Sequence, residues 1–238
     1  LPRFFVDTPL VEPGEFRLSP GAARHVQVLR MQPGDALTLF DGSGPEWQAE
    51  VTAMGRSDVT VRLIAATATQ RELARHVTLA VVMPANDRMD FIVEKATELG
   101  AATLQPLVSE RSVLRLAGER ADKKRAHWQG VAIAAAEQSG RSVPLHVAPV
   151  QSLSAWLAAL PTPASDEWRG QLSPRAAQPL RAFAAQRALF LSGPEGGLSA
   201  PEEDAARARG FAPVTLGPRV LRADTAPLAV LSWLALSE

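Results

Sequence analysis

The chain of 238 residues predicts a two-part protein: a small β-rich module over residues 1–70 and an α/β domain with a mostly parallel sheet over residues 71–238. Three observations carry this. Short apolar runs separated by Gly-rich turns fill the first seventy positions, as in a compact barrel or sandwich. After the polar stretch Thr67 to Glu72, which reads as a linker, apolar runs alternate with helical patterns, the rhythm of β/α units. Hydrophobic residues make up 46% of the chain, enough to fill packed cores.

The front module begins with a short apolar run, Arg3 to Val6. Ser19-Pro20 then opens a helix through a cap and a first-turn proline, with Val26 and Leu29 on its apolar side. Strands are expected at Ala36 to Phe40, Trp47 to Ala53 and Val59 to Ile64, the first two joined by the Asp41-Gly42-Ser43-Gly44 turn. In the second part, Val77 to Met83 is almost continuously apolar, as a strand covered on both faces should be. Asp87 to Leu99 places Met89, Ile92, Val93, Ala96 and Leu99 on one helical face, and Gly100 ends it. Leu104 to Val108 is strand-like, and Asp122 to Ser139 is a long Ala-rich helix stopped by Gly140 and Pro144. A short helix at Leu153 to Leu160 leads into a Pro-rich connection. Ala188 to Ser192, Val214 to Leu216 and an apolar terminal helix complete the pattern.

Composition narrows the function classes. No cysteine is present, which removes disulfides, thiolate metal sites and cysteine nucleophiles, and fits a reducing cytoplasm. Residues 1–7 lack the features of a signal peptide, and the apolar segment Ala226 to Leu236 is too short to span a bilayer, so no membrane partner is expected. Lys and Arg number 25, as do Asp and Glu, and residues 1–70 hold six Arg against eight acids. Any nucleic-acid site must therefore be a local arginine cluster. His25, His76, His127 and His146 are scattered, and no metal is expected.

Four segments carry chemistry. Leu189 to Gly197 runs an apolar strand into Gly193-Pro194-Glu195-Gly196-Gly197, after which Ser199 and Glu202 form a capping box. Glycines at the C-terminal end of a strand let backbone approach a ligand, and open α/β sheets bind ligands there. The turn is neither a P-loop nor a dinucleotide fingerprint. Leu216 to Ala226 repeats the arrangement with Gly217-Pro218, followed by Arg219, Arg222 and Asp224, the last also a candidate helix cap. Glu94, Lys95 and Glu98 line a polar helix face, with Glu110-Arg111-Ser112 after the next strand. Glu137-Gln138-Ser139-Gly140-Arg141 crowds polar groups at a helix end, where Glu137 and Arg141 would also pair at i, i+4.

Together these segments resemble the RsmE family of 16S ribosomal RNA uridine-N3 methyltransferases, within the SPOUT superfamily. The match covers nearly the whole chain. In the front module it includes Pro2-Arg3-Phe4-Phe5, Arg24-His25, Leu29-Arg30-Met31, Gly34-Asp35 and Leu39-Phe40-Asp41-Gly42. Behind it come Lys95 to Gly100, Ser109 to Ser112, Glu137 to Arg141, Gly193 to Gly197, and Leu216-Gly217 through Arg222 to Thr225-Ala226. Ala85-Asn86 stands where relatives often carry Lys-Gly, and Ala223-Asp224 where Thr-Glu is common.

The resemblance implies a SPOUT-type α/β knot, with a C-terminal trefoil, behind a PUA-like β-barrel that grips RNA. It implies a cytoplasmic homodimer acting on the 16S rRNA of the small ribosomal subunit, at one uridine near the decoding centre. S-adenosyl-L-methionine would be held mostly by backbone at Leu191, Ser192, Gly193, Glu195, Gly196 and Gly197, and at Leu216, Gly217, Val220 and Leu221. A third wall would come from Ser173 and Pro174. Side chains in place of those glycines would fill the cofactor's volume. Because uridine N3 is protonated at neutral pH, a base or a stabilising cation is needed. Arg222 and Arg219 are the cation candidates, and Glu137 and Asp224 the carboxylate candidates. Arg30 is a third cation candidate beside its expected RNA contacts, which are shared among Arg3, Arg24, Arg30, Arg111 and Arg141. Two alternatives lack the enzyme's logic: a non-enzymatic RNA-binding protein would have no use for the Gly turns, and a nucleotide hydrolase would need a P-loop or metal ligands.

Overall fold

The computed structural model describes residues 1–85, 87–176 and 178–238, so Asn86 of the Ala85-Asn86 pair lies outside the described residues. Two compact units result: residues 1–72 with 133–144, and residues 73–132 with 145–238.

The first unit contains β1 (Arg3–Phe5), β2 (Gly14–Arg17), α1 (Pro20–Val28), β3 (Ala36–Phe40), β4 (Glu46–Met54) and β5 (Val59–Thr67). The strands form one sheet in the order β1-β3-β4-β5-β2, parallel only between β1 and β3. Alternation sends Leu37, Leu39, Trp47, Ala49, Val51, Val59 and Val61 into a core that α1 covers with Ala22, Ala23 and Val26. The 41–44 turn is fixed by Asp41, whose carboxylate accepts from the Leu10 and Ser43 amides at 2.8 and 2.9 Å. Burial raises the pKa of that carboxyl, but these bonds together hold it below its ordinary value. β2 is absent from the sequence expectation. It is an edge strand whose Gly-Glu-Phe-Arg sequence gives only Phe16 to the core, so its periodic signal is weak.

The second unit contains β6 (His76–Val82), α2 (Arg88–Glu98), β7 (Thr103–Val108), α3 (Gly118–Ser139), β8 (His146–Val147), β9 (Gln151–Ser152) and α4 (Leu153–Ala159). It continues with β10 (Glu167–Leu172), β11 (Arg187–Ser192), α5 (Ala200–Ala208), β12 (Ala212–Val214) and α6 (Thr225–Leu236). Its sheet runs β12-β10-β11-β6-β7-β8, with β9 also on β7, and every ladder is parallel. One face, with Leu79, Val81 and Phe190, is covered by α2, α6 and the first part of α3. The other, with Val82, Leu189 and Leu191, is covered by α4 and α5. Two-sided burial explains why β6 and β11 read as unbroken apolar runs.

β10 is the main departure from expectation, because it occupies what reads as a Pro-rich connection. Its sequence, Glu-Trp-Arg-Gly-Gln-Leu, places a charge where a buried strand should be apolar. The structure answers for that charge. Arg169 is 3% exposed, pairs with Glu167, and donates to the carbonyls of Arg209 at 2.7 Å and Pro161 at 2.8 Å. A buried cation is tolerated when paired and hydrogen-bonded in this way. α3 also begins four residues earlier than expected, and β12 ends before Leu216.

Candidate functional site

The site is built where β10, β11 and β12 end. In the ladder register Leu172 lies opposite both Ser192 and Val214, so all three strands release their chains along one row. The loops that follow, at 173–175, 193–198 and 215–223, enclose a cavity of about 540 Å³. That size lies within the roughly 300–1,000 Å³ usual for small-molecule sites.

The 193–198 loop is braced throughout. The Gly197 amide donates to the Pro194 carbonyl at 2.8 Å, with Gly197 at φ +71°. Arg111 donates to the Gly196 carbonyl at 3.1 Å, and Glu195 accepts from the Ala85 amide at 3.0 Å. The predicted capping box is present: the Glu202 amide donates to Ser199 and the Ser199 amide to Glu202. The other oxygen of Glu202 accepts from the Glu110 amide at 3.1 Å. In the third loop, Thr215 exchanges backbone bonds with residues 178 and 180, and Gly217 sits at φ +108°.

Ser173, Pro174, Ser192, Gly193, Glu195, Gly196 and Gly197 all line the cavity. So do Leu216, Val220 and Leu221 of the third loop. Leu191 instead lies in the core behind it, and Gly217 is exposed outside it. A Cβ on Gly193 would press on Leu198 at 3.3 Å, whereas one on Gly196 would make ordinary contact with Arg111 at 3.6 Å and one on Gly197 would meet open space. Gly197 and Gly217 are needed for their positive φ.

Of the charged candidates, Arg219 and Arg222 line the cavity, are exposed, and have no ion-pair partner among the described residues. Asp224 precedes α6 but makes no side-chain cap, and its carboxylate lies 3.5 Å from Arg88, which does line the cavity. Glu137 belongs to the first unit, where it accepts from the Phe5 amide at 2.9 Å. Burial pushes its carboxyl above its ordinary pKa, against the opposing pull of that amide, His25 and Arg3. Arg141, the partner that the spacing suggests, pairs with Glu72 at 2.5 Å.

The arginines expected to meet RNA divide sharply. Arg24 and Arg30 are exposed, and Arg30 adopts φ +55°, the left-handed region that non-glycine residues rarely enter. Arg3 instead pairs with Glu46, lies over the Phe40 ring at 4.9 Å, and donates to the Arg141 carbonyl. Arg141 is 3% exposed. Both are committed inside the first unit, and Arg111 is committed to the Gly196 loop. The Glu94-Lys95-Glu98 group is a self-contained surface cluster, with Lys95 at 2.7 Å from each carboxylate. Sequence reasoning missed Arg88, Gln171, Arg175 and Glu203 of the cavity wall. Gln171 could have been found only by recognising β10. Among the described residues, no group of three or more His, Asp or Glu could hold a metal ion, and no helix is long and apolar enough to cross a membrane.

Comparison with known proteins gives this geometry a family. Residues 71–235 match the RNA methyltransferase domain family, and residues 18–64 match the RNA methyltransferase PUA domain. The chain is 32% identical to ribosomal RNA small subunit methyltransferase E of Bacillus subtilis, covering 97% of this chain and 94% of that one. It is 33% identical to the protein of the same name from Synechocystis sp., over 87% of this chain and 67% of that one. The crystal structure of ribosomal RNA small subunit methyltransferase E from Neisseria gonorrhoeae, bound to S-adenosyl methionine, superposes with a TM-score of 0.91 at 34% identity, covering 100% and 98% of the two chains. With both parts of the chain matched and full-length relatives above 30% identity, the chain belongs to the ribosomal RNA small subunit methyltransferase E family.

Proposed function

We propose that this chain transfers a methyl group from S-adenosylmethionine to N3 of one uridine, near the decoding centre, in the 16S rRNA of the small ribosomal subunit. The observation that carries the reading is the cavity at the row of strand ends, walled by two glycine-bearing loops and edged by Arg219 and Arg222, which have no ion-pair partner among the described residues. Its residues fit the cofactor. The walls mix apolar side chains with backbone amides and carbonyls, which suits a nucleoside joined to an amino acid, and the solved relative from Neisseria gonorrhoeae carries that molecule.

When bound, S-adenosylmethionine supplies an activated methyl group on its sulfonium. The three loops hold and orient the cofactor through backbone, while Leu216 and Leu221 exclude water. Arg222, with Arg219 also in the cavity wall, stabilises the negative charge that uracil gains as N3 gives up its proton to bulk water. Asp224 holds Arg88 in the wall. Glu137, in the first unit with a raised pKa, serves that unit's structure rather than proton removal. The target base must leave its stack to reach the cavity.

Residues 1–70 serve as the RNA-gripping PUA-like barrel and residues 71–238 as the methyltransferase domain, with Arg24 and Arg30 on phosphates. The parallel bridge between Pro179 and Thr215, just ahead of α6, supports a C-terminal trefoil knot. The protein works as a cytoplasmic homodimer. Ala229, Trp233 and Leu236 lie at i, i+4 and i+7 on α6, and its own unit leaves this stripe incompletely covered, with Leu236 87% exposed.

The test is incubation of purified protein with S-adenosylmethionine and small subunits lacking the modification, followed by mass spectrometry of digested nucleosides. The expected product is 3-methyluridine. A different methylated nucleoside overturns the target atom, and no cofactor binding by calorimetry overturns the enzyme reading.

A further inference from the structure

Gln171 is the residue of the cavity that the fold leaves unexplained. It lies on β10 opposite Leu191 and Pro213, and its side chain shares a face of the sheet with Arg169. The two buried polar groups on that face are treated differently. Each nitrogen of the Arg169 guanidinium donates a hydrogen bond, to Glu167 and to two carbonyls. Gln171 is 2% exposed, lines the cavity, and its Oε1 has no hydrogen-bond partner among the described residues. The nearby core residues on this face are Leu189, Leu191, Leu198 and Phe211, where an apolar side chain would pack without loss. An unmet buried acceptor is costly and rare in native proteins, so it calls for a donor from outside the chain.

Resting on the cofactor reading above, we propose that Gln171 is the residue that reads the adenine of the bound cofactor, its Oε1 accepting an N–H of the exocyclic amino group. The cofactor offers two kinds of nitrogen donor, that neutral amine and the charged ammonium of its amino-acid part. The neutral amine fits this wall. A buried amide surrounded by leucines satisfies a neutral donor, whereas a full charge needs a free carboxylate. Glu203, the carboxylate on the α5 side of the cavity, is already held by Arg175 at 3.2 Å and lies 3.9 Å from Arg207. Leu172, Leu198 and Leu216 supply apolar surface for a flat heterocycle. A site built around a hydrogen bond discriminates strongly against a ligand lacking its partner group.

Calorimetry separates the arms without relying on turnover. Wild-type protein is titrated with S-adenosylhomocysteine, with S-inosylhomocysteine, whose base carries oxygen in place of the amino group, and with 5′-methylthioadenosine, which lacks the amino-acid part. The expected result is that wild type binds the inosine compound at least about tenfold more weakly than the adenosine compound. Gln171→Met should erase that preference by weakening both adenine ligands and sparing the inosine one, while its thermal melt stays unchanged or rises. Equal binding of the adenosine and inosine compounds by wild type overturns the assignment, and this measurement needs no variant to fold. A Gln171→Met loss that disappears with 5′-methylthioadenosine assigns the donor to the ammonium and overturns it as well. Unchanged affinities in the variant mean that water meets the amide, which likewise overturns it. If wild type binds none of the three ligands, the cofactor reading itself falls and takes the assignment with it.

Discussion

Arg222 and Arg3 show how differently two arginines in one chain can be used. Arg222 faces the cavity with no counter-ion among the described residues, so its charge is available to a developing anion. Arg222→Ala is expected to lower the single-turnover methylation rate by about 10²–10³-fold, the scale on which one stabilising donor acts. Cofactor affinity and melting temperature should change little. Equal losses in rate, binding and stability would assign Arg222 to anchoring the turn, since its carbonyl already accepts from the Thr225 and Ala226 amides. Arg3 instead meets Glu46, together with Arg71 and Ser142. Burial raises the Glu46 pKa, but those partners together hold it below the ordinary carboxylate value. Such a carboxylate stabilises the fold above its unfolded pKa and loses that contribution as pH falls through the lower folded value. Glu46→Gln should therefore destabilise the protein by about 1–3 kcal/mol at neutral pH. The difference from wild type should close as the medium is acidified below the ordinary carboxylate range in parallel melts. A gap independent of pH would show that geometry, not charge, is what Glu46 provides.

Among the elements, α6 makes the clearest commitment. Its buried side, Val230, Leu231 and Leu234, packs within its own unit, while the Ala229-Trp233-Leu236 stripe remains incompletely covered. Leu236→Glu should weaken self-association by at least on the order of tenfold in sedimentation, because a charge would be buried without a partner. The melt of the isolated chain should stay near wild type, and an unchanged dimer would remove this stripe from the interface. The same helix shows what was legible in the sequence. A run of apolar residues too short for a membrane states plainly that it must be covered, but not by what. β6, α2, β11 and the Ser199 capping box were equally legible, because burial on both faces, helical periodicity and cap chemistry are local. β10 was not. Its Arg169 is satisfied by carbonyls 8 and 40 residues away, and that compensation exists only once the chain has folded. With β10 went Gln171, although the neighbouring Ser173-Pro174 wall could be named from the family resemblance. Arg3 and Arg141 read as surface cations for the same reason, because their partners Glu46 and Glu72 are 43 and 69 residues distant.

The molecule as a whole carries 25 basic and 25 acidic side chains, so it has no general attraction for RNA. With Arg3, Arg111 and Arg141 engaged internally, the proposed phosphate contacts are few. The logarithm of RNA affinity should fall only shallowly with the logarithm of salt concentration. Arg24→Ala should reduce the slope by about one unit while leaving cofactor affinity intact. A slope unchanged in the variant would remove Arg24 from the phosphate contacts. Recognition then depends on fit to a structured subunit more than on charge, so a short unstructured RNA is expected to be a poor substrate.

Glu202 gives this arrangement a consequence in time. One of its oxygens closes the cap of α5 while the other takes the Glu110 amide, and Arg111 next to it holds the Gly196 carbonyl. The cofactor loop is thus tied at both ends to segments that do not depend on a ligand. The Gly197 and Ser199 amides, bonded to the Pro194 carbonyl and to Glu202, should exchange with deuterium slowly before any ligand is added, unlike those of loops that order only on binding. Association should follow one exponential phase whose rate rises linearly with ligand concentration, because no loop closure intervenes.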